Sequence, residues 1–169
     1  VEQSPKIYYG VKCALNSIYY NSKDDKNNNI IGGQIIYINQ GKRFIYGGNE
    51  YNAYELIKRY IVDQNFKYED KRTGKIKSIG ESEIEIITGG MAGSRPVLDE
   101  EGNKKMKNGK VIKQGTREWI RDAFNTNKVK ILIGSSAIQE GIDLHKQSHT
   151  LYVLDSDFSP SNAMQLEGR

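Results

Sequence analysis

The sequence predicts an α/β domain of three layers, helices on both faces of a mainly parallel sheet. Three observations predict it: short β-branched runs bounded by glycine, segments with apolar residues at helical spacing, and the alternation of the two along the chain. With 169 residues the chain has room for one domain of ordinary size and a core of its own.

The first element is "SPKIYYGVKCALNSIYY", where Ser4 sits as a cap, Pro5 falls in the first turn, and Ile7, Val11, Leu15 and Ile18 follow at helical spacing. Tyr8, Tyr9, Tyr19 and Tyr20 flank that stripe and read as packing residues before they read as a base-stacking platform. The polar run "NSKDDKNNN" is expected to be a surface loop, and "GGQIIYINQG" a buried strand. In "NEYNAYELIKRYIVDQ", Tyr54, Ile57, Tyr60 and Ile61 share a helical face, with Glu55 leading Lys58 and Arg59 on the other. Then "SEIEIITGG" reads as a strand, "GTREWIRDAFNTN" as a helix carrying Trp119, Ile120 and Phe124, and "KVKILIGSS" and "SHTLYVLDSD" as two further strands. The final "SPSNAMQLEGR" begins a helix, with Ser159 capping and Pro160 in its first turn. Strands that alternate with helices need crossover connections, hence a parallel sheet. Residues 91–114 interrupt the pattern: charged, glycine-studded and without a helical stripe, they read as a long loop or small hairpin inserted on the scaffold.

Composition bounds the function loosely. The formal charge of +4 permits a polyanionic partner without demanding one. Cys13 is the one cysteine, so no internal disulfide forms and a reducing, intracellular compartment is expected. Apolar runs such as "VKILIG" fall far short of the roughly 20 residues of a membrane span, so no membrane partner is expected. His145 and His149 lack cysteine or carboxylate companions at ligand spacing, and no metal site is expected on them.

Ligands of open parallel sheets lie beyond the carboxyl ends of the strands. There the chain places "NQGKR", "TGGM", "GSSAIQEGIDL" and "DSDFSPSNAMQLEGR". Gly134, Ser135 and Ser136 are small or hydroxylated and allow a close approach to phosphate. Gly141 turns the chain ahead of Asp143, whose carboxylate can accept from a ribose hydroxyl; the same Gly-Ile-Asp can also be a plain helix end with a C-cap glycine. Gly89, Gly90, Gly115, Thr116 and Arg117 fall at strand and helix ends, where they serve either phosphate binding or turn and cap chemistry. Lys42, Arg43, Lys104, Lys105, Lys107 and Lys110 add salt-sensitive attraction for a polyanion, or form a solvated face.

The runs "REWIRDAFNTNKVKILIGSSAIQEGIDL" and "LYVLDSDFSPSNAMQLEGR" resemble the second RecA-like lobe of a superfamily 2 helicase or translocase, where a strand leads to motif V ending in Gly-Ile-Asp and motif VI carries Gln-x-x-Gly-Arg. The likeness extends to the Swi/Snf-type, phage and large-DNA-virus ATPases, through Asp155 or Asp157, Phe158, Pro160 and Gln165, and covers nearly the whole chain except 91–114. It implies a P-loop-NTPase-type α/β/α fold. It also implies that Ser135, with Ser136, contacts the nucleic-acid backbone, that Gly141 and Asp143 face the nucleotide, and that Gln165 and Arg169 bring motif VI to the γ-phosphate, Arg169 as arginine finger. Ser135 stands where threonine is commoner, and Glu140 is expected to orient the loop.

No G-x-x-x-x-G-K-[ST] and no acidic metal-binding motif of a first lobe occurs in the sequence. ATP and Mg²⁺ are accordingly expected to be held mainly by an N-terminal RecA-like lobe, and the chain reads as a second lobe cut within motif VI and inactive alone. A nucleic-acid partner, DNA before RNA, is implied. Two other classes stay open: a nucleotide-sugar glycosyltransferase lobe, which needs no motif VI arginine, and a RecA-shaped binding module that catalyses nothing.

Overall fold

A computed structural model describes residues 2, 4–24, 32–39, 44–70, 73–99, 101–138, 143–144 and 146–155. In chain order the elements are α1 (Pro5–Asp24), β1 (Gly33–Tyr37), β2 (Phe44–Tyr46), β3 (Asn49–Tyr51), α2 (Ala53–Asp63), β4 (Lys67–Asp70), β5 (Lys75–Ser78), β6 (Ile84–Ile87), β7 (Ser94–Pro96), β8 (Met106–Lys107), β9 (Lys110–Val111), β10 (Lys113–Gly115), α3 (Thr116–Asn125), β11 (Ile131–Gly134) and β12 (Ser148–Val153). The β-branched runs become the central sheet, in the order β12-β1-β11-β6, with every neighbouring pair parallel.

Alternation along each strand sends side chains to opposite faces. One face sets Ile36, Ile84, Ile131 and Ile133 against Val11, Ala14, Leu15 and Ile18 of α1 and Tyr54, Ile57 and Ile61 of α2. The other sets Ile35, Ile87 and Leu132 against Ile120, Ala123 and Phe124 of α3. The result is the α/β/α layering expected from the sequence, with two apolar cores separated by the sheet. Burying one such isoleucine or phenylalanine side chain contributes about 1.5–3 kcal/mol.

The departures from the sequence reading have local causes. α1 runs on to Asp24, four residues into the polar stretch expected as loop. α2 starts at Ala53 and not at Asn49, because Asn49–Tyr51 pairs antiparallel with Phe44–Tyr46 and the Asn52 side chain accepts the Tyr54 and Glu55 amides as cap. Tyr9 is 63% exposed, against its reading as a packing residue, whereas Tyr19 meets Phe66 edge-on. The segment after α2 forms the hairpin β4–β5, which seats Tyr68 against α1 and carries its hydroxyl to Glu83. Glu83 also accepts the Gly80 amide and lies 3.7 Å from the buried Lys130 ammonium, fastening the hairpin to the amino end of β11. The closing helix over 159–169 lies outside the described residues.

The insertion is a branched arm. β7 and β10 make its antiparallel stem. Beyond the stem three backbones meet in a ring of hydrogen bonds: the Val97 amide donates to the Ile112 carbonyl, Ile112 to Lys105, and Lys105 to Val97. Two small hairpins leave this junction, one closed by the Leu98–Lys104 bridge and one formed by β8 and β9. The second turns at Asn108 and Gly109, both at positive φ (51° and 74°), which is the type I′ geometry that an Asn-Gly pair favours.

Arg95 anchors the stem. Its guanidinium makes paired hydrogen bonds of 2.7 and 3.2 Å to the Glu85 carboxylate of β6 and stacks 4.8 Å from the Trp119 ring centre. On the other stem strand Gln114 donates to the Asp122 carboxylate of α3 at 2.6 Å. That carboxylate is held below its ordinary range, chiefly by the hydrogen bond from Arg121. Lys128, just ahead of β11, donates to the Asp99 carbonyl at 3.5 Å. The arm therefore lies along the outer side of α3 and reaches the amino end of the sheet.

Arg95→Ala leaves the Glu85 carboxylate without its forked partner, so we expect a loss of about 2 kcal/mol in urea unfolding. Amide exchange should quicken across 94–115 and stay slow in β1 and β11. Unchanged stability and exchange would mean that the arm is held by other contacts.

Candidate functional site

The carboxyl ends of the four parallel strands form one row: Leu154 and Asp155 after β12, Ile38 and Asn39 after β1, Ser135 and Ser136 after β11, and Thr88 to Gly90 after β6. Hydrogen bonds past the strand ends fix the row. The Leu154 amide donates to Tyr37, Ile38 to Gly134, and Ser135 to Ile87, at 2.9, 2.9 and 3.3 Å. The buried Tyr54 hydroxyl donates to the Ile38 carbonyl at 2.9 Å, and the Asp155 carboxylate accepts the Asn39 amide. Asp155 thereby joins the two strand ends, a role that its place in the sequence did not indicate.

Gly134 is small for a packing reason. A Cβ there would run into the Ile87 carbonyl and the Ile138 side chain, so β11 and β6 approach as closely as they do only with glycine at this position. Ser135 is 9% exposed, and its carbonyl accepts the Ile138 amide to start the single 3-10 turn Ser136–Ile138. Ser136 is half-buried at the head of that turn. Gly89 and Gly90 are exposed beside it, after β6.

The start of α3 belongs to the same end of the molecule, because the Thr116 amide donates to the Gly93 carbonyl at 3.1 Å. The N-cap is Gly115, which supplies no side-chain hydrogen bond, and the Glu118 carboxylate folds back against it, a favourable place for an anionic group. Arg117 has a buried Nε without a hydrogen-bond partner among the described residues. A buried guanidinium donor left unpaired is costly, and an anionic oxygen is its natural complement.

The sequence-predicted residues thus fall into groups. Ser135, Ser136, Gly89, Gly90, Thr116 and Arg117 share the carboxyl end of the sheet. Asp143 does not: its carbonyl accepts from the Asn125 side chain at 2.8 Å, at the far end of α3, close to where Phe124 packs on Gly33 at the start of β1. The exposed Asp143 therefore lies at the amino end of the strands. Lys104, Lys105, Lys107 and Lys110 are exposed on the arm, Lys104 and Lys105 at its junction and Lys107 and Lys110 in the β8–β9 hairpin beyond it. Gly141, Gln165 and Arg169 lie outside the described residues, as do Lys42, Arg43, Glu140, His145, Asp157, Phe158 and Pro160. Among the described residues no group of three or more His, Cys, Asp or Glu side chains is placed to hold a metal ion. No helix among them is long and apolar enough to cross a membrane.

This geometry is joined by one finding from comparison with known proteins. Residues 98–169 match the family model of the helicase conserved C-terminal domain. The match supports a helicase-type C-terminal lobe, whose fold is the RecA-like α/β fold described above. It takes in most of the arm, α3, β11, β12 and the stretch that carries Gln165 and Arg169. A helicase domain of this kind implies a nucleic-acid partner and, in general, the use of ATP with Mg²⁺. Neither a curated protein nor a solved structure matches the chain.

Arg95, Trp119 and Asn125 position these loops and were not singled out from the sequence for that work. No short motif announces such contacts, since each joins segments distant in sequence. The Asn-Gly pair at 108–109 was a signal for the arm's inner hairpin.

Gly134→Ala should cost about 1–3 kcal/mol in equilibrium unfolding, because the obstruction includes a backbone carbonyl that cannot rotate away. Ser136→Ala, one turn on and half-buried, should stay within about 0.5 kcal/mol. Equal stabilities for the two variants would remove the close β11–β6 approach from the account.

Proposed function

We propose that this chain is the second motor lobe of an ATP-dependent superfamily 2 translocase acting on nucleic acid, on DNA in preference to RNA, of the kind found in phages and large DNA viruses. The observation that carries the reading is the helicase C-terminal match over 98–169, on a parallel sheet whose β11 end presents Ser135 and Ser136 between Asn39 and Gly89. Ser136, Thr116, the Gly89–Gly90 turn and Arg117 then supply a row of hydroxyl, amide and guanidinium donors to one backbone of the track. Asp143 lies at the other end of β11 and serves the nucleotide. The lobe consequently keeps its two ligands apart, and a change in grip at one end is passed to the other through a rigid, fully buried strand.

ATP with Mg²⁺ supplies the phosphoryl group, held mainly by an N-terminal RecA-like lobe, because these 169 residues contain no phosphate-cradling P-loop. Closure of the cleft places the Arg169 guanidinium against the charge that develops in phosphoryl transfer, with Gln165 beside it. Stepping follows from alternate grip and release.

In a polypeptide that also carries the first lobe, Arg169→Ala should lower nucleic-acid-stimulated ATPase by about a thousandfold or more while nucleic-acid binding persists. Turnover near the wild-type rate would remove Arg169 from the finger role.

A further inference from the structure

Between Lys104 and Lys113 the arm carries five lysines, Lys104, Lys105, Lys107, Lys110 and Lys113, and no acidic residue. All five are exposed, and none has a carboxylate ion-pair partner among the described residues, where Lys58, Lys77, Arg95, Arg121 and Lys130 are paired. In the neighbouring branch the Asp99 carboxylate accepts the amides of Glu101 and Asn103, within its own turn.

The hairpin geometry concentrates this charge. Lys107 and Lys110 stand directly opposite each other in the β8–β9 ladder, flanking the two-residue turn at Asn108 and Gly109. Like charges in facing positions destabilise a hairpin, and the turn type leaves no freedom to slip the register. By strand alternation Lys105 joins the Lys107 and Lys110 face. The fold therefore holds ammonium groups together at a cost that a dense polyanion would relieve. The stem at Arg95 and Gln114 fixes the hairpin's base on α3, so the cluster is carried by a docked element.

We propose that the β8–β9 hairpin is a second nucleic-acid contact, seated on the phosphate backbone of a duplex and separate from the strand-end row. The choice of nucleic acid as the polyanion rests on the helicase reading above; the separateness rests on the stem and junction of the arm, which stand between this hairpin and the start of α3. Duplex backbone carries about one charge per 1.7 Å, a density that suits lysines spaced two or three residues apart on a hairpin. The contact reads no sequence: lysine is a point charge on a flexible stem, and it grips without selecting.

The test is binding of a labelled duplex of about 20 base pairs to the whole chain, measured by anisotropy between about 50 and 200 mM salt. Three proteins are compared: wild type, the arm variant Lys105→Gln/Lys107→Gln/Lys110→Gln, and a charge-matched control, Lys6→Gln/Lys67→Gln/Lys75→Gln, from exposed sites on α1, β4 and β5. Each phosphate contact contributes about 0.9 to the slope of log affinity against log salt, so the arm variant should lose about 2–3 from that slope and at least about tenfold in affinity at the low-salt end. The control should keep the wild-type slope. Circular dichroism melting of all three shows whether the substitutions leave the fold intact. In addition Lys107→Glu, which places opposite charges across the ladder, should melt no lower than wild type and bind more weakly.

Equal loss in arm and control variants would reduce the effect to net charge and overturn the proposal. An unchanged arm variant would overturn it while leaving the helicase reading in place, since wild type still binds. A wild-type chain that binds no duplex and no single strand would overturn both.

Discussion

β11 pairs in parallel with β1 on one side and β6 on the other, and all four of its residues are buried. Its Ile131 and Ile133 belong to the core beneath α1 and α2, and its Leu132 to the core beneath α3, so one strand is shared by both apolar layers. Its last residue is the glycine that lets the β6 backbone come close, and its first is set by the Lys130 amide bonded to the Glu83 carbonyl. A parallel pair cannot shift by one residue without exchanging the two faces of every side chain. The positions of Ser135 and Ser136 at one end and of the Asp143 return at the other are consequences of that register.

Around this strand the fold divides its labour. The helices α1 and α2 and the hairpin β4–β5 make one face and its lower edge, apart from the strand-end row. The face carrying α3 holds nearly everything else of interest. Its helix starts at the strand-end row, ends beside Asp143, and offers its outer side to the stem of the arm through Trp119 and Asp122. A helix that touches two candidate sites and one arm is well placed to relate them, and it does so as a packed body: Ile120, Ala123 and Phe124 are buried against the sheet.

How much of this the sequence disclosed depended on the kind of interaction. The buried strands were legible because a strand covered on both faces must be largely apolar, as "IIYI" and "ILIG" are. The helices were legible by spacing, although the start of α2 was misplaced: the tyrosine and asparagine before it suit a short hairpin as well as a first turn. The hairpin β4–β5 went unread because only Tyr68 and Asp70 of its eight strand residues are buried, which leaves almost no apolar pattern. At the site, Ser135 and Ser136 were found from their place after a strand. The separation of Asp143 from them was not, because nine residues suffice either to stay at one strand end or to double back, and only packing against Asn125 decides. Arg95 was hidden for the same reason, its partners Glu85 and Trp119 being set by tertiary fold alone.

The most direct measurement of the central claim is a backbone amide chemical-shift titration of the chain with a short single-stranded DNA. The account predicts that the amides of 88–90, 116–117 and 134–136 shift together and saturate at one concentration, with Asp143 unmoved until nucleotide is added alongside a first lobe. Shifts confined to the amino ends of the strands, with 134–136 silent, would contradict it.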